Sequence, residues 1–252
     1  MLNQIYLNSG DTYIMCFVKQ KSSIEVSKGC VVLLPGFGES ANDVDYFMTR
    51  LSNKLSQENY ITIQVDLYGH GDSYGDVSDL NLDIIEGNIK SVYDYARNIC
   101  ENKDVICIAR GLYGNILNQK KFSNLFSRII CINPIITNTT FKEIMSNDLL
   151  EISDLIKDNN IKDLFLALGS ELTNLKGQKI SSKFLCEIFT LVRFFDYDGK
   201  TIILSSYNQN CLINNVKNYR DICLEIKSIS EYCFVRDVNW QAKLINEIEK
   251  YI

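Results

Sequence analysis

His70 is the only histidine among the 252 residues. Any site that needs two imidazoles is therefore excluded, and any imidazole chemistry belongs to His70. It stands in the run Asp66-Leu67-Tyr68-Gly69-His70-Gly71-Asp72-Ser73, where glycines and aspartates at short spacing close a turn on themselves. Asp66 and Asp72 are candidates to orient the ring, and they are equally turn formers. The other nucleophile type is cysteine, and there are nine. Cys233 has Arg236 close by, a positive neighbour of the kind that lowers a thiol pKa. No two of the nine make a C-x-x-C pair; with one histidine, neither a metal site nor a disulfide framework is expected, and no cofactor. Most of the cysteines lie in apolar runs and read as small buried hydrophobes. Arg110 can hold a carboxylate or phosphate through two parallel hydrogen bonds, or it can pair with an acidic neighbour within the chain.

The elements that would position these residues alternate between short apolar runs and longer helical patterns. Residues 13–19, 31–34, 61–66, 105–109, 129–133, 201–206 and 223–229 read as strands, with a weaker first strand at 5–7. The later runs are continuous in Val, Ile and Cys, as expected of parallel strands covered on both faces. Helical spacing covers 42–58, through Val44, Phe47, Met48, Leu51 and Leu55, then 82–101 and 237–252. Such alternation predicts an α/β fold with a mostly parallel sheet and right-handed crossovers. Residues 137–198 break the rhythm. They show only amphipathic helical material, as at 141–157 and 181–195, and such a block is too long for an ordinary connection. It is expected to be a helical cap inserted between core segments 1–136 and 199–252.

Two turns carry a family resemblance. Val65-Asp66-Leu67-Tyr68-Gly69-His70-Gly71-Asp72-Ser73 follows a strand, and some thirty residues earlier Leu34-Pro35-Gly36-Phe37-Gly38 follows another. At this spacing they resemble the oxyanion turn and the D-x-x-G-x-G-x-S element of the α/β-hydrolase fold, over nearly the whole chain. The run to Asp76 is also similar to that of serine-aminopeptidase-like proteins, including the hydrolase-like proteins that accompany exosortase systems. The resemblance implies an eight-stranded, mostly parallel sheet with helices on both faces and a cap after the sixth strand. It implies a pocket lined by Gly36, Phe37, Arg110, Leu112 and Tyr113, with oxyanion amides at Phe37 and Leu112. In it the turn of Asp66, Gly69, His70, Gly71, Asp72 and Ser73 is structural.

The nucleophile of that family sits in G-x-S-x-G after the fifth strand. Here the chain reads Ala109-Arg110-Gly111-Leu112-Tyr113-Gly114, which puts Gly111 at the serine position, or Leu112 after a one-residue slip. Neither side chain attacks a carbonyl. Where the acid is expected the chain reads Tyr207-Asn208-Gln209-Asn210, and an amide does not stabilise an imidazolium as a carboxylate does. Where the histidine is expected stands Cys233, beside Tyr232. The expected function is a non-catalytic scaffold that binds a small-molecule, acyl or peptide ligand or a protein partner, as neuroligins and N-myc downstream-regulated proteins use this fold. The resemblance to exosortase-associated proteins adds an accessory role in peptide maturation. The alternative is a hydrolase or acyltransferase with a rearranged site using Cys233 or His70.

Composition narrows the remaining classes. A net charge of −5 removes the electrostatic footprint of a nucleic-acid binder. No apolar run approaches the about eighteen residues of a membrane span. The start, Met-Leu-Asn-Gln-Ile-Tyr, lacks a basic segment and an apolar core, so no signal peptide and a cytoplasmic location are expected.

Overall fold

The computed structural model describes residues 2–21, 23, 26–117, 119–134, 172–175, 178–193, 201–205, 224–225 and 238–252. Its strands are β1 (Leu2–Ser9), β2 (Thr12–Lys19), β3 (Gly29–Leu34), β4 (Tyr60–Val65), β5 (Asp104–Arg110), β6 (Arg128–Ile132), β7 (Leu172–Leu175), β8 (Gln178–Ser181), β9 (Thr201–Ser205) and β10 (Leu224–Glu225). Eight of them form one sheet in the order β1-β2-β4-β3-β5-β6-β9-β10. β2 is antiparallel to both β1 and β4. From β4 through β10 every neighbour is parallel. The expected sheet is present, with β1 extended well beyond 5–7.

Side-chain alternation builds a layer on each face. Cys30, Val32 and Leu34 of β3, Val105, Cys107 and Ala109 of β5, and Ile129 and Cys131 of β6 turn to one side. There they meet α2 (Leu82–Cys100), α3 (Leu112–Leu117) and α5 (Ser182–Arg193); the short α4 (Lys120–Ser123) follows α3. Val31, Leu33, Ile106, Ile108, Ile130 and Ile132 turn to the other side, against α1 (Phe47–Gln57) and α6 (Val238–Ile248). Phe47 and Leu51 are fully buried, and each such side chain stabilises the layer by about 1.5–3 kcal/mol. α2 starts where Asn81 accepts a hydrogen bond from the Ile84 amide at 3.0 Å, an N-cap. Its face of Ile85, Ile89, Val92 and Ala96 is buried as the spacing predicts.

The six described cysteines (Cys16, Cys30, Cys100, Cys107, Cys131 and Cys186) are buried and form no disulfide among the described residues. Burial pushes the Cys131 thiol up to about 12, and those of Cys30 and Cys107 well above the usual thiol value. These are packing groups.

Two elements differ from the sequence-based expectation. The helix expected from residue 42 begins only at Phe47, because Asp43, Asp45 and Tyr46 all have positive φ, and a 3₁₀ turn at Val44–Tyr46 takes the place of the first turns. The block expected to be wholly helical contains an antiparallel hairpin, β7 with β8. α5 lies within the expected 181–195, whereas 141–157 lies outside the described residues. Ile180, Phe184, Leu185 and Ile188 are buried in the same core as the sheet face, so hairpin and helix pack directly on the core.

Candidate functional site

Three chain segments meet at the carboxyl ends of β3, β4 and β5. The first is the elbow after β5. Gly111 has φ +61°, the left-handed conformation that glycine adopts without strain. Its N–H donates to the Ile132 carbonyl at 2.8 Å, and its carbonyl accepts from the Gly114 amide at 3.0 Å. The strand–turn–helix geometry therefore places Gly111, and not Leu112, at the apex. A Cβ built on Gly111 meets no described atom within 4 Å, so space for a side chain exists where none is present. Leu112 is the first residue of α3, and its amide has no intrahelical partner.

The second segment is the loop after β3. Phe37 is buried, and its ring lies 5.7 Å from that of His70, 6.4 Å from that of Tyr113 and 5.9 Å from that of Phe184, centroid to centroid. The loop, the elbow helix and α5 thus meet in one aromatic cluster. Tyr113 is fully buried, and its hydroxyl has no hydrogen-bond partner among the described residues. Burial pushes its pKa up.

The third segment is the glycine turn after β4. Asp66 accepts from the Ala41 amide through Oδ1 and from the Asp72 amide at 3.0 Å through Oδ2. It is 2% exposed, and that burial holds its carboxyl above the usual range against the lowering effect of the two amides. Ser73 Oγ donates to the Asp66 carbonyl at 2.6 Å and accepts from the Met15 amide at 2.7 Å. Gly71 has φ +52°, and a Cβ there would overlap the Asp66 carboxylate.

His70 joins the second and third segments. The Gly38 amide lies 3.2 Å from Nε2 and the Tyr68 carbonyl 2.9 Å from Nδ1. An amide only donates and a carbonyl only accepts, so the neutral ring carries its proton on Nδ1. Burial lowers the His70 pKa. Neither Asp66 nor Asp72 orients the ring: the Asp66 carboxylate serves the Ala41 and Asp72 amides, and Asp72 meets it through its own N–H.

Arg110 does not project toward a ligand. Nε donates to Asp43 Oδ2 at 2.7 Å and Nη2 to Oδ1, a bidentate pair with an Asp43 carboxylate that is fully buried. Its guanidinium lies against Gly36, where a Cβ would overlap it. Of the two roles open to Arg110 in the sequence, the geometry is that of an internal ion pair. It ties the strand before the elbow to the strained loop of positive φ at 43–46. Asp43 had no sequence signal as a partner, since 67 residues separate the two.

Asn208 and Cys233 lie outside the described residues. Among the described residues, no group of three or more His, Cys, Asp or Glu side chains is placed to hold a metal ion, and no helix is long and apolar enough to cross a membrane.

No protein-family model and no curated protein sequence matches the chain. Solved structures do. A soluble variant of monoglyceride lipase from Saccharomyces cerevisiae, in complex with a substrate analog, aligns over 100% of this chain and 94% of its own, with TM-score 0.70 and 14% identity. Est1E from Butyrivibrio proteoclasticus aligns over 98% of each chain with TM-score 0.68 and 12% identity. A putative hydrolase from Agrobacterium vitis aligns over 100% of this chain and 98% of its own, with TM-score 0.67 and 16% identity. Identities this low speak for fold alone, and with the strand order they show that the chain has the α/β-hydrolase fold.

Proposed function

We propose that this protein binds, and does not cleave, a small acyl, ester or peptide ligand in the cleft above Gly111. The observation that carries the proposal is the elbow residue itself, which has the backbone geometry for a nucleophile and no side chain. The single histidine supports it, because both ring nitrogens of His70 hold backbone groups in place. In this proposal Gly36, Phe37, Leu112 and Tyr113 line the cleft, with the amides of Phe37 and Leu112 facing a polar ligand group. Arg110 acts through Asp43 to hold the loop, and Asp66, Gly69, His70, Gly71, Asp72 and Ser73 shape it from below. β7, β8 and α5, within a cap spanning 137–198, close over it. By their place in the sequence, Asn208 and Cys233 stand where the acid and the histidine of that fold are expected.

Ligand class is argued from the fold's other users. The yeast lipase structure holds a substrate analog, and Est1E has been solved with ferulic acid bound. A monoacylglycerol analogue and ferulic acid are therefore the first probes. Binding is expected to raise the melting temperature in proportion to the logarithm of probe concentration. A fluorophosphonate probe is expected to leave the protein unlabelled, and stoichiometric labelling would overturn the proposal. Iodoacetamide that modifies Cys233 faster than free cysteine, together with activity lost in Cys233→Ser, would establish the rearranged enzyme instead.

A further inference from the structure

β1 forms one edge of the eight-stranded sheet, and among the described residues it carries none of the devices that usually protect an edge. Its sequence, Leu-Asn-Gln-Ile-Tyr-Leu-Asn-Ser, has no charge and no proline. Its pairing to β2 is one-to-one from Leu2 opposite Lys19 to Ser9 opposite Thr12, without a bulge. Long, flat, uncharged edges of this kind template further strand pairing. The two-residue turn Gly10-Asp11 makes Ser9 and Thr12 a hydrogen-bonded pair. By alternation Leu7, Ile5 and Asn3 also bond to β2, while Leu2, Gln4, Tyr6 and Asn8 direct their N–H and C=O groups outward.

Exposed apolar bulk gathers at the same edge. Leu2 and Tyr6 are 57% and 61% exposed, and Tyr13 and Tyr74 continue the patch at 41% and 50%. The Tyr13 ring centroid lies 5.2 Å from that of Tyr6 and 5.7 Å from that of Tyr74.

We propose that β1 pairs antiparallel with β1 of a second copy across a two-fold axis, joining two sheets into one. One register uses every outward group. Leu2 faces Asn8 of the second copy, Gln4 faces Tyr6, and Ile5 faces Ile5, giving about eight hydrogen bonds. A second copy is the occupant because the strand is self-complementary in this register. No charged residue faces another within the ladder, although each chain carries a net charge of −5. The antiparallel sense also brings the Lys19 and Lys21 end of each hairpin beside the Asp11 end of the other, whereas a parallel pairing would set like charges together.

Sedimentation velocity from micromolar to hundreds of micromolar is expected to show a reversible dimer; a monomer throughout overturns the proposal. Gln4→Pro removes an outward N–H and no internal bond. It is expected to keep the melting temperature of the dilute protein and to weaken dimerisation by tenfold or more. A folded Gln4→Pro variant that dimerises as well as the parent overturns the proposal. Ile5→Cys gives a measurement independent of proline tolerance. The two thiols sit at a directly facing, non-hydrogen-bonded pair within disulfide reach, so oxidised glutathione is expected to yield a covalent dimer. Leu7→Cys, offset by four residues from its own symmetry mate, is expected to yield none. Equal cross-linking at the two positions refutes the register.

Discussion

His70 gives the fold a pH dependence that one substitution removes. The ring is 5% exposed and neutral, with Nε2 accepting from the Gly38 amide at 3.2 Å and Nδ1 donating to the Tyr68 carbonyl. A second proton would have to go on Nε2, facing an N–H that can only donate, and burial already lowers the pKa from 6.5. The sign follows from linkage. Above pH 6.5 neither the folded nor the unfolded chain holds the proton, and stability is complete. As pH falls below 6.5 the unfolded chain takes up a proton that the fold refuses, and stability drops until the folded pKa is reached. One proton gives a slope of at most about 1.4 kcal/mol per pH unit. Asp66 cannot imitate this. Its pKa is raised above 3.8, so its contribution is present below that value and is lost as pH rises through the folded pKa. Urea unfolding at about pH 7.5, 6.5 and 5.5 measures the slope. His70→Ala leaves the Gly38 amide and Tyr68 carbonyl short of a partner at about 1–3 kcal/mol each. The variant is expected to be less stable by about 2–5 kcal/mol at neutral pH and to lose the slope above pH 5.5. A His70→Ala variant that keeps the full acid slope would refute the assignment.

Other substitutions separate strain, overlap and charge. Gly111→Ser puts a side chain into open space at φ +61°, so denaturant unfolding is expected to show a loss of only about 1–2 kcal/mol, the strain of the left-handed backbone. Gly71→Ala drives a Cβ into the Asp66 carboxylate, and the same assay is expected to show a loss above about 3 kcal/mol. Arg110→Ala leaves the buried Asp43 carboxylate without its guanidinium; a loss of about 3–5 kcal/mol is expected. Arg110→Lys, which lacks the bidentate fork, is expected to recover only part of it. Tyr113→Phe deletes a buried hydroxyl that has no partner among the described residues, so unfolding is expected to show unchanged stability or a gain of up to about 1–2 kcal/mol.

Sheet and elbow were legible because they rest on local signals. Continuous Val/Ile/Cys runs mark strands buried on both faces, and the turn of Gly69, His70 and Gly71 follows one of them. Even the choice between Gly111 and Leu112 has a local answer, since only glycine accepts the apex without strain. What stayed hidden depends on partners far apart in the chain. Residues 42–46 have helical spacing, yet Asp43 turns its carboxylate to Arg110 and the backbone around it takes positive φ. In sequence Asp66 can equally orient the His70 ring or form the turn, and only the fold gives each a set of backbone partners instead. The hairpin of β7 and β8 was missed for another reason. Its strands are four residues each, too short to establish a period, and apart from Thr173 and Ile180 they hold no β-branched residue.

The framework of the site and the chemistry it would carry rest on different atoms. Loop, turn and elbow are fixed by the Asp66 carboxylate, the His70 ring, the Arg110–Asp43 pair and backbone bonds at Gly111. None of these requires a side chain at residue 111. In the proposed function a glycine there leaves the backbone of the site and its amides in place, which is what binding without cleavage needs. On the proposed reading, a serine at residue 111 would not by itself supply catalysis. In Gly111→Ser the hydroxyl would need a base, but His70 already has one nitrogen on the Gly38 amide and the other on the Tyr68 carbonyl. Asp66 and Asp43 are committed to amides and to a guanidinium. Gly111→Ser is therefore expected to fold and still to resist a fluorophosphonate probe. Rapid labelling would place a base near residue 111 and return the protein to the enzymes of its fold.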